Sequence, residues 1–384
     1  MREAVIVEAV RTPVGKRNGA LSEVRADVLA AMPLEEVVKR AGISKDMIED
    51  VILGCVSQVG EQSLDIARIA ALTAGYPVEV PGTTVDRQCG SSQQAVHFAA
   101  QAIISGDMDV VVAGGIESMS RVPIGSNRQG VDFSPELTSN YEMIHQGLSA
   151  DRIAEKWGFS RESMDAFALK SHQKAMNARN KGHFEQEIMP LDVTLSDGTT
   201  TTMTHDEGPR EDTSLKKLQS LKPSFREDGS ITAGNASQIS DGANALLLMS
   251  RERAEELGLK PKFRVLARSV IGSDPTFMLT GPIPATQKVL SKAGLGIDDM
   301  DVFEVNEAFA SVPMAWLEET GADPEKLNPN GGAIALGHPL GASGGRLMIT
   351  MLYELERTGG RYGLQTMCEG HGMANATIIE RLDV

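Results

Sequence analysis

The sequence predicts an α/β protein made of two similar layered halves, and three observations carry that prediction. Short runs of β-branched residues end in glycine turns and give way to stretches with apolar residues at helical spacing, the alternation that layers helices on sheets. The segment Lys45-Asp46-Met47-Ile48-Glu49-Asp50-Val51-Ile52 is echoed by Asp298-Asp299-Met300-Asp301-Val302-Phe303, each placed before an apolar strand, as in a duplicated fold. Between the two, residues 121–231 break the rhythm with a polar stretch. The expected division is 1–120 with 232–258 for the first half, 121–231 for an inserted loop or lid domain, and 259–384 for the second half.

Taken in order, the residues after Met1 run directly into an apolar stretch typical of a first strand, with no cationic leader or cleavage site. Further strands are expected over 48–56, 83–87, 109–114, 263–267, 301–305 and 377–381. The helix after Cys89 places Ala95, Phe98, Ala99, Ala102 and Ile103 on one stripe and stops at Gly106. Within the polar stretch, Ser160 caps a helix over 161–181, and Asp197-Gly198 and Asp228-Gly229 read as hairpin turns.

Composition narrows the function. The 384 residues suffice for two or three core-forming units. Three cysteines in that length argue against a disulfide framework and for a reducing, cytoplasmic setting. With 37 basic against 52 acidic residues, general nucleic-acid binding is disfavoured, although a local basic mouth for a phosphorylated substrate is not. No stretch reaches the roughly 18 apolar residues of a membrane span, and the tail Arg381-Leu382-Asp383-Val384 is not a peroxisomal address. The histidines show no spacing that suggests a metal site.

The chemistry concentrates in glycine-bearing turns far apart in the chain. Cys89, in Gln88-Cys89-Gly90-Ser91-Ser92, stands at a helix N-terminus, where free NH groups and the helix dipole are expected to lower a thiol pKa. His338, within the glycine-dense run 330–344 read as a shaped loop, is the candidate base. Cys368 ends a second strand before Glu369-Gly370-His371-Gly372. Two such thiols suggest that one carries an acyl group as a thioester while the other moves a proton at the carbon beside a thioester carbonyl. Asn306, at the end of the strand 301–305, can orient a water or bond an oxyanion.

With these residues in place, the chain resembles a thiolase, an acetyl-CoA acyltransferase, over essentially its whole length. The likeness rests on Val85 through Ser92, Glu117-Ser118-Met119-Ser120, Thr232 through Ser237, Asn306-Glu307-Ala308-Phe309, Asn330 through Gly344 and Cys368-Glu369-Gly370. It implies two βαβαβαββ halves stacked as a five-layer α/β/α/β/α sandwich with an inserted loop domain, assembled as a homodimer or homotetramer. It also implies ping-pong thiolysis of 3-ketoacyl-CoA, in lipid (fatty-acid or steroid side-chain) degradation. Cys89 is deprotonated by His338 and attacks the 3-keto carbon, and Cys368 protonates the departing acetyl-CoA enolate. Asn306, through a water, and His338 form one oxyanion hole; the backbone NH groups of Cys89 and Gly370 form the other. CoA, a substrate rather than a cofactor, is expected on Arg210, Ala233, Ser237, Phe309 and His145.

Two departures stand out. His371 interrupts a turn that is usually all glycine, so backbone strain or an altered pocket is expected there. Gln146 replaces a methionine in the segment 145–150, which leaves acyl selection open. The competing readings are a synthetic acetoacetyl-CoA thiolase, a ketosynthase that uses two histidines, and an inactive thiolase-like binding protein.

Overall fold

The structure is a computed structural model that describes residues 2–382; the expectations resting on Met1, Asp383 and Val384 fall outside it. The first half runs β1 (Ala4–Arg11), β2 (Gly15–Lys16), α1 (Ala26–Ala41), β3 (Asp50–Gly54), α2 (Ile66–Thr73), β4 (Gly82–Val85), α3 (Ser91–Ser105) and β5 (Val110–Ser118). A long excursion follows, with α4 (Pro135–Thr138), α5 (Gln146–Trp157), α6 (Arg161–Asn180), β6 (Leu191–Thr194), β7 (Thr200–Met203) and α7 (Leu215–Gln219). The chain then re-enters the sheet as β8 (Ser240–Ser250) and leaves it through α8 (Arg251–Glu256). The second half comprises β9 (Phe263–Gly272), α9 (Pro282–Ala293), β10 (Val302–Val305), α10 (Ser311–Thr320), α11 (Ala333–Leu336), α12 (Leu340–Thr358), β11 (Tyr362–Glu369) and β12 (Met373–Arg381).

Strand order demonstrates the duplication. The first half is ordered β1-β8-β5-β3-β4, antiparallel for the first two pairings and parallel for the last two. The second is β9-β12-β11-β10, antiparallel twice and then parallel, completed by a parallel bridge from Phe303 to Leu327. The two sheets meet where Val5 and Ile6 of β1 pair with Arg264 and Phe263 of β9. Helices α3 and α12 pack on each other, α3 against β3 and β5, α12 against both β5 and β11. Helices α1 and α2 cover the outer face of one sheet, and α9 the outer face of the other. The result is the five-layer α/β/α/β/α sandwich.

The middle layer is nearly dry but not apolar. Gln93 Nε2 donates to Thr377 Oγ1 at 2.7 Å, His97 Nε2 lies 2.7 Å from the same oxygen, and Gln365 Nε2 donates to the Gly344 carbonyl at 2.7 Å. These bonds tie α3 and α12 to the second sheet within a layer where unpaired polar groups would be costly.

Local expectations were met with exceptions. Ser160 caps α6 by accepting from the Ser163 amide, and Gly106 ends α3 at φ 88°. Phe98 is not on the buried stripe: it is 39% exposed, and Val96 and Ala100 are buried instead, because α3 is covered on most of its circumference. Asp197-Gly198 joins the β6–β7 hairpin, whereas Asp228-Gly229 turns between segments joined only by a bridge from Pro223 to Thr232. The run 330–344 is not one loop, since Ala333–Leu336 and everything from Leu340 are helical. Its glycines serve close approach: a Cβ on Gly344 would sit 2.5 Å from the Gln93 amide nitrogen, and one on Gly341 2.5 Å from the Ile116 carbonyl oxygen. Packing of α12 on α3 and β5 overrides the poor helix propensity of glycine.

Candidate functional site

Cys89 occupies the turn between β4 and α3, one residue before the N-cap Gly90. Gln88 adopts φ 48°, a left-handed conformation that costs a non-glycine residue free energy and throws Cys89 out of line with the strand. The turn is pinned by Ser91, whose hydroxyl donates to the Gln88 carbonyl at 2.6 Å and accepts from the Arg87 amide at 2.9 Å. Cys89 is 7% exposed and packs with Val56, Met119, Leu340 and Met367.

Its thiol pKa is not lowered as expected from the helix terminus. Burial and then the Glu369 carboxylate push it up to about 12. Desolvation of the thiolate outweighs a dipole felt one residue outside the helix. Cys89 is therefore a neutral thiol that needs a base.

Cys368 lies within β11, paired with Ala374, rather than in the turn after it. It is fully buried, and burial, then neighbouring Cys89, hold its thiol well above the ordinary value. Two close approaches join the turns: a Cβ on Gly90 would lie 1.9 Å from Glu369 Oε1, and one on Gly370 3.1 Å from Gln88 Oε1. Residues 89, 368 and 370 thus converge. His371 takes φ 68°, the strained conformation expected of it, and its ring meets Phe133 edge-on at 5.5 Å.

His338, between α11 and α12, is 4% exposed. Ser343 donates its one hydroxyl hydrogen to the Pro339 carbonyl at 2.8 Å, so it accepts from His338 Nδ1 at 2.5 Å. That pattern assigns the proton to Nδ1 and makes Nε2 an acceptor, to which Asn306 Nδ2 donates at 3.4 Å. Burial, with Arg346 adding to it, depresses the imidazole pKa to about 3. The Oδ1 of Asn306 is buried without a partner.

A cavity of about 940 Å³ opens onto His338 and Leu340. Arg210, Ala233, Ser237, Phe309 and His145, scattered over 165 positions of sequence from 145 to 309, all line it. Phe225 builds its wall, stacked on His145 at 5.0 Å and edge-on to Phe309 at 5.8 Å. His145 Nδ1 accepts from the Gly147 amide at 3.1 Å, and His172 Nδ1 accepts from the Arg210 amide at 3.1 Å. Neither cysteine lines the cavity; Cys89 packs in a cluster with the lining residues Met119 and Leu340, and Cys368 belongs to the cluster that contains the lining residue Phe309.

Sequence reasoning gave no role to several side chains that hold this arrangement. Glu117, fully buried, accepts from the amides of Val56, Ser57 and Gly341 at 2.9, 3.0 and 2.9 Å, linking the Cys89 surroundings to the start of α12. Glu307 accepts from Ser171 at 2.6 Å, Asn328 at 2.9 Å and the Ile334 amide at 3.2 Å, supporting the His338 segment. Glu369 is buried with both oxygens unpartnered, and burial raises its carboxyl well above the usual range. The glutamates were visible inside the motif runs, but only as neighbours; Ser343 carried no signal of its own.

A duplicated α/β sandwich that brings two buried thiols together, with a histidine of fixed tautomer on the adjoining cavity, fits an acyl-transfer enzyme working on thioesters. Comparison with known proteins gives the family. The N-terminal domain of thiolases matches residues 4–252 and the C-terminal domain matches residues 259–381. The steroid 3-ketoacyl-CoA thiolase FadA6 of Mycobacterium tuberculosis is 52% identical, over 100% of this chain and 95% of that protein. The 3-oxoadipyl-CoA/3-oxo-5,6-dehydrosuberyl-CoA thiolase of Escherichia coli is 45% identical over 100% of both chains. The crystal structure of the Bacillus anthracis acetyl-CoA acetyltransferase superposes with a TM-score of 0.92 at 40% identity, covering 100% of this chain and 99% of that one. The chain belongs to the thiolase family and is an acetyl-CoA C-acyltransferase. No helix among the described residues is long and apolar enough to cross a membrane.

Proposed function

We propose that this protein is a degradative thiolase that cleaves 3-ketoacyl-CoA through an acyl-Cys89 intermediate. The observation that carries the reading is the tautomer of His338, which lines the cavity: Nδ1–H is committed to Ser343, and the unprotonated Nε2 accepts only from Asn306 Nδ2 at 3.4 Å. Nε2 takes the Cys89 proton as the sulfur attacks the 3-keto carbon. The C2–C3 bond then breaks, its electron pair leaves as the acetyl-CoA enolate, and Cys368 donates a proton to C2. The thiol of a second CoA gives its proton to the Cys368 thiolate and attacks the acyl-Cys89 thioester; the shortened acyl-CoA is released, and His338 Nε2 returns its proton to the departing Cys89 sulfur.

Neutral Cys89 and neutral His338 suit this order, since each titrates on the side that keeps the resting pair uncharged. Charge appears only when an acyl group is present to accept it, and the oxyanion donors then act in a site already dry. Asn306 with His338, and the amides of Cys89 and Gly370, are the donors; Arg210, Ala233, Ser237, Phe309 and His145 hold CoA. Three free buried cysteines fit a cytoplasmic protein. The free edge strand β4, with exposed Leu64 and Val78 close by in sequence, fits assembly as a dimer or tetramer.

Intact-mass analysis after incubation with acetoacetyl-CoA tests the reading. One acetyl group is expected on the wild-type chain, located at Cys89 by peptide mapping, and none on Cys89→Ala. An unmodified wild type, or an adduct that survives Cys89→Ala, would refute it.

A further inference from the structure

We propose that the buried pair of Glu304 and Arg346 are positioning residues for the acyl transfer: Glu304 offsets the Arg346 charge that acts on His338, and so sets how readily the imidazole takes the Cys89 proton. The inference rests on the thiolase reading above and adds to it two residues that do not line the cavity.

Each member of the pair is one step along the chain from a group that holds the His338 ring. Ser343, which accepts from Nδ1, and Arg346 are three residues apart on α12, so they share a face of that helix. Asn306, which donates to Nε2, lies two residues beyond Glu304 of β10. The Asn306 amide still bonds the Thr366 carbonyl of β11 at 3.1 Å, so the strand alternation carries through and both side chains share a face of the sheet. That face looks at α12, since Gln365, paired with Glu304 across β10 and β11, donates from Nε2 to the Gly344 carbonyl at 2.7 Å. Arg346 Nη1 and Glu304 Oε2 meet across this contact at 3.6 Å, with side chains only 3% and 1% exposed.

The pair is poorly built as a staple. Both carboxylate oxygens of Glu304 and Nη1 of Arg346 are buried without a hydrogen-bond partner. Without such bonds, the attraction recovers little of the cost of drying two charges. Other charges face the pair, Glu307, Glu187 and Glu354 toward Glu304, and Arg11, Glu187 and Asp206 toward Arg346, but each is held elsewhere. Arg11 is bonded by Glu187 and Asp206, Glu307 accepts from Ser171 and Asn328, and Glu354 accepts from Asn330 and Arg357. Glu304 is the acid within salt-bridge reach of Arg346, and Arg346 is the charge that acts on His338.

Taking the Cys89 proton makes His338 a cation. A lone guanidinium nearby opposes that step; once Glu304 is ionised, the pair is neutral and the opposition falls. Burial, against the pull of Arg346, raises the Glu304 carboxyl to about 8. Cys89 and His338 titrate near 12 and 3, and Cys368 well above an ordinary thiol. Near neutral pH, Glu304 is therefore the member of this set whose charge changes. As pH rises through about 8 it loses its proton, Arg346 is offset, and acylation of Cys89 quickens.

Acetylation of Cys89 in the full-length protein by acetyl-CoA, followed by rapid quench and intact mass from about pH 6.5 to 9.5, tests the pair. The wild-type rate constant at saturating acetyl-CoA is expected to rise in a step near pH 8. Glu304→Gln should remove the step and slow acetylation about tenfold on its alkaline side, the equivalent of about one pK unit on His338, with the half-saturating acetyl-CoA concentration unchanged. Glu304→Gln/Arg346→Met removes both charges and should recover to within about threefold of wild type, without a step. A packing role alone predicts a double variant no faster than Glu304→Gln, and that result overturns the proposal. So does a Glu304→Gln profile that superimposes on wild type. Arg346→Met is read independently, should Glu304→Gln not fold: the step is expected to vanish, and its persistence near pH 8 overturns the proposal. If wild type takes no acetyl group at any pH, the thiolase reading itself fails and takes the inference with it.

Discussion

At the scale of single residues, reactivity is governed by desolvation more than by the helix terminus. Cys89 stands next to an N-cap, yet its pKa is pushed up to about 12 because burial penalises the thiolate and Glu369 adds a like charge. Alkylation of Cys89 by iodoacetamide is therefore expected to accelerate steadily with pH through 9, followed by peptide mass spectrometry. A plateau near pH 8 would contradict the buried-thiol account. Glu369→Gln removes one of the groups that raise this pKa, so alkylation at pH 9 should quicken; an unchanged rate would place the carboxyl outside the electrostatics of the thiol.

At the scale of elements, the site is made by close approach of backbones. Gly114 in β5 would direct a Cβ to 2.0 Å from the Asn244 carbonyl oxygen of β8, a contact that backbone cannot relieve without opening the β5–β8 pairing. Gly114→Ala is expected to lower unfolding free energy by about 1–3 kcal/mol, read from urea denaturation. Gly272→Ala at the end of β9, where the nearest atom would be 4.0 Å away, should stay within about 0.5 kcal/mol. Equal effects would mean that the spacing between strands is not what the first glycine protects.

At the scale of the molecule, the halves are joined by a buried polar layer that carries a titration. Burial, aided by Arg268, depresses His97 to about 3, and its imidazole bonds Thr377 of β12 from α3. Its unfolded pKa is about 6.5, so between roughly pH 3 and 6.5 the unfolded chain binds the extra proton. Stability then rises with pH across that window and is lost as pH falls. His97→Gln should flatten the dependence by up to about 1.4 kcal/mol per pH unit, measured by urea unfolding at pH 4.5, 5.5 and 6.5. Parallel curves for wild type and variant would remove His97 from the acid response.

The alternation of strands and helices, the echo between residues 45–52 and 298–303, and the glycine turns around Cys89, His338 and Cys368 were legible because each is local. Periodicity, turn chemistry and a reactive side chain between glycines are properties of short stretches. β8 was not legible: Ala245-Leu246-Leu247-Leu248 has no β-branched residue and becomes a strand because β1 and β5 pair with it on either side. The helical state of 340–345, the exposure of Phe98, the raised pKa of Cys89 and the tautomer imposed by Ser343 were equally invisible. Each depends on what a distant segment places against the residue. The sequence by itself determined which atoms can do the chemistry and that they sit in two matching halves. Only the tertiary structure decided how dry those atoms are and which protons they hold, since burial and charge pairing arise between segments and not within them.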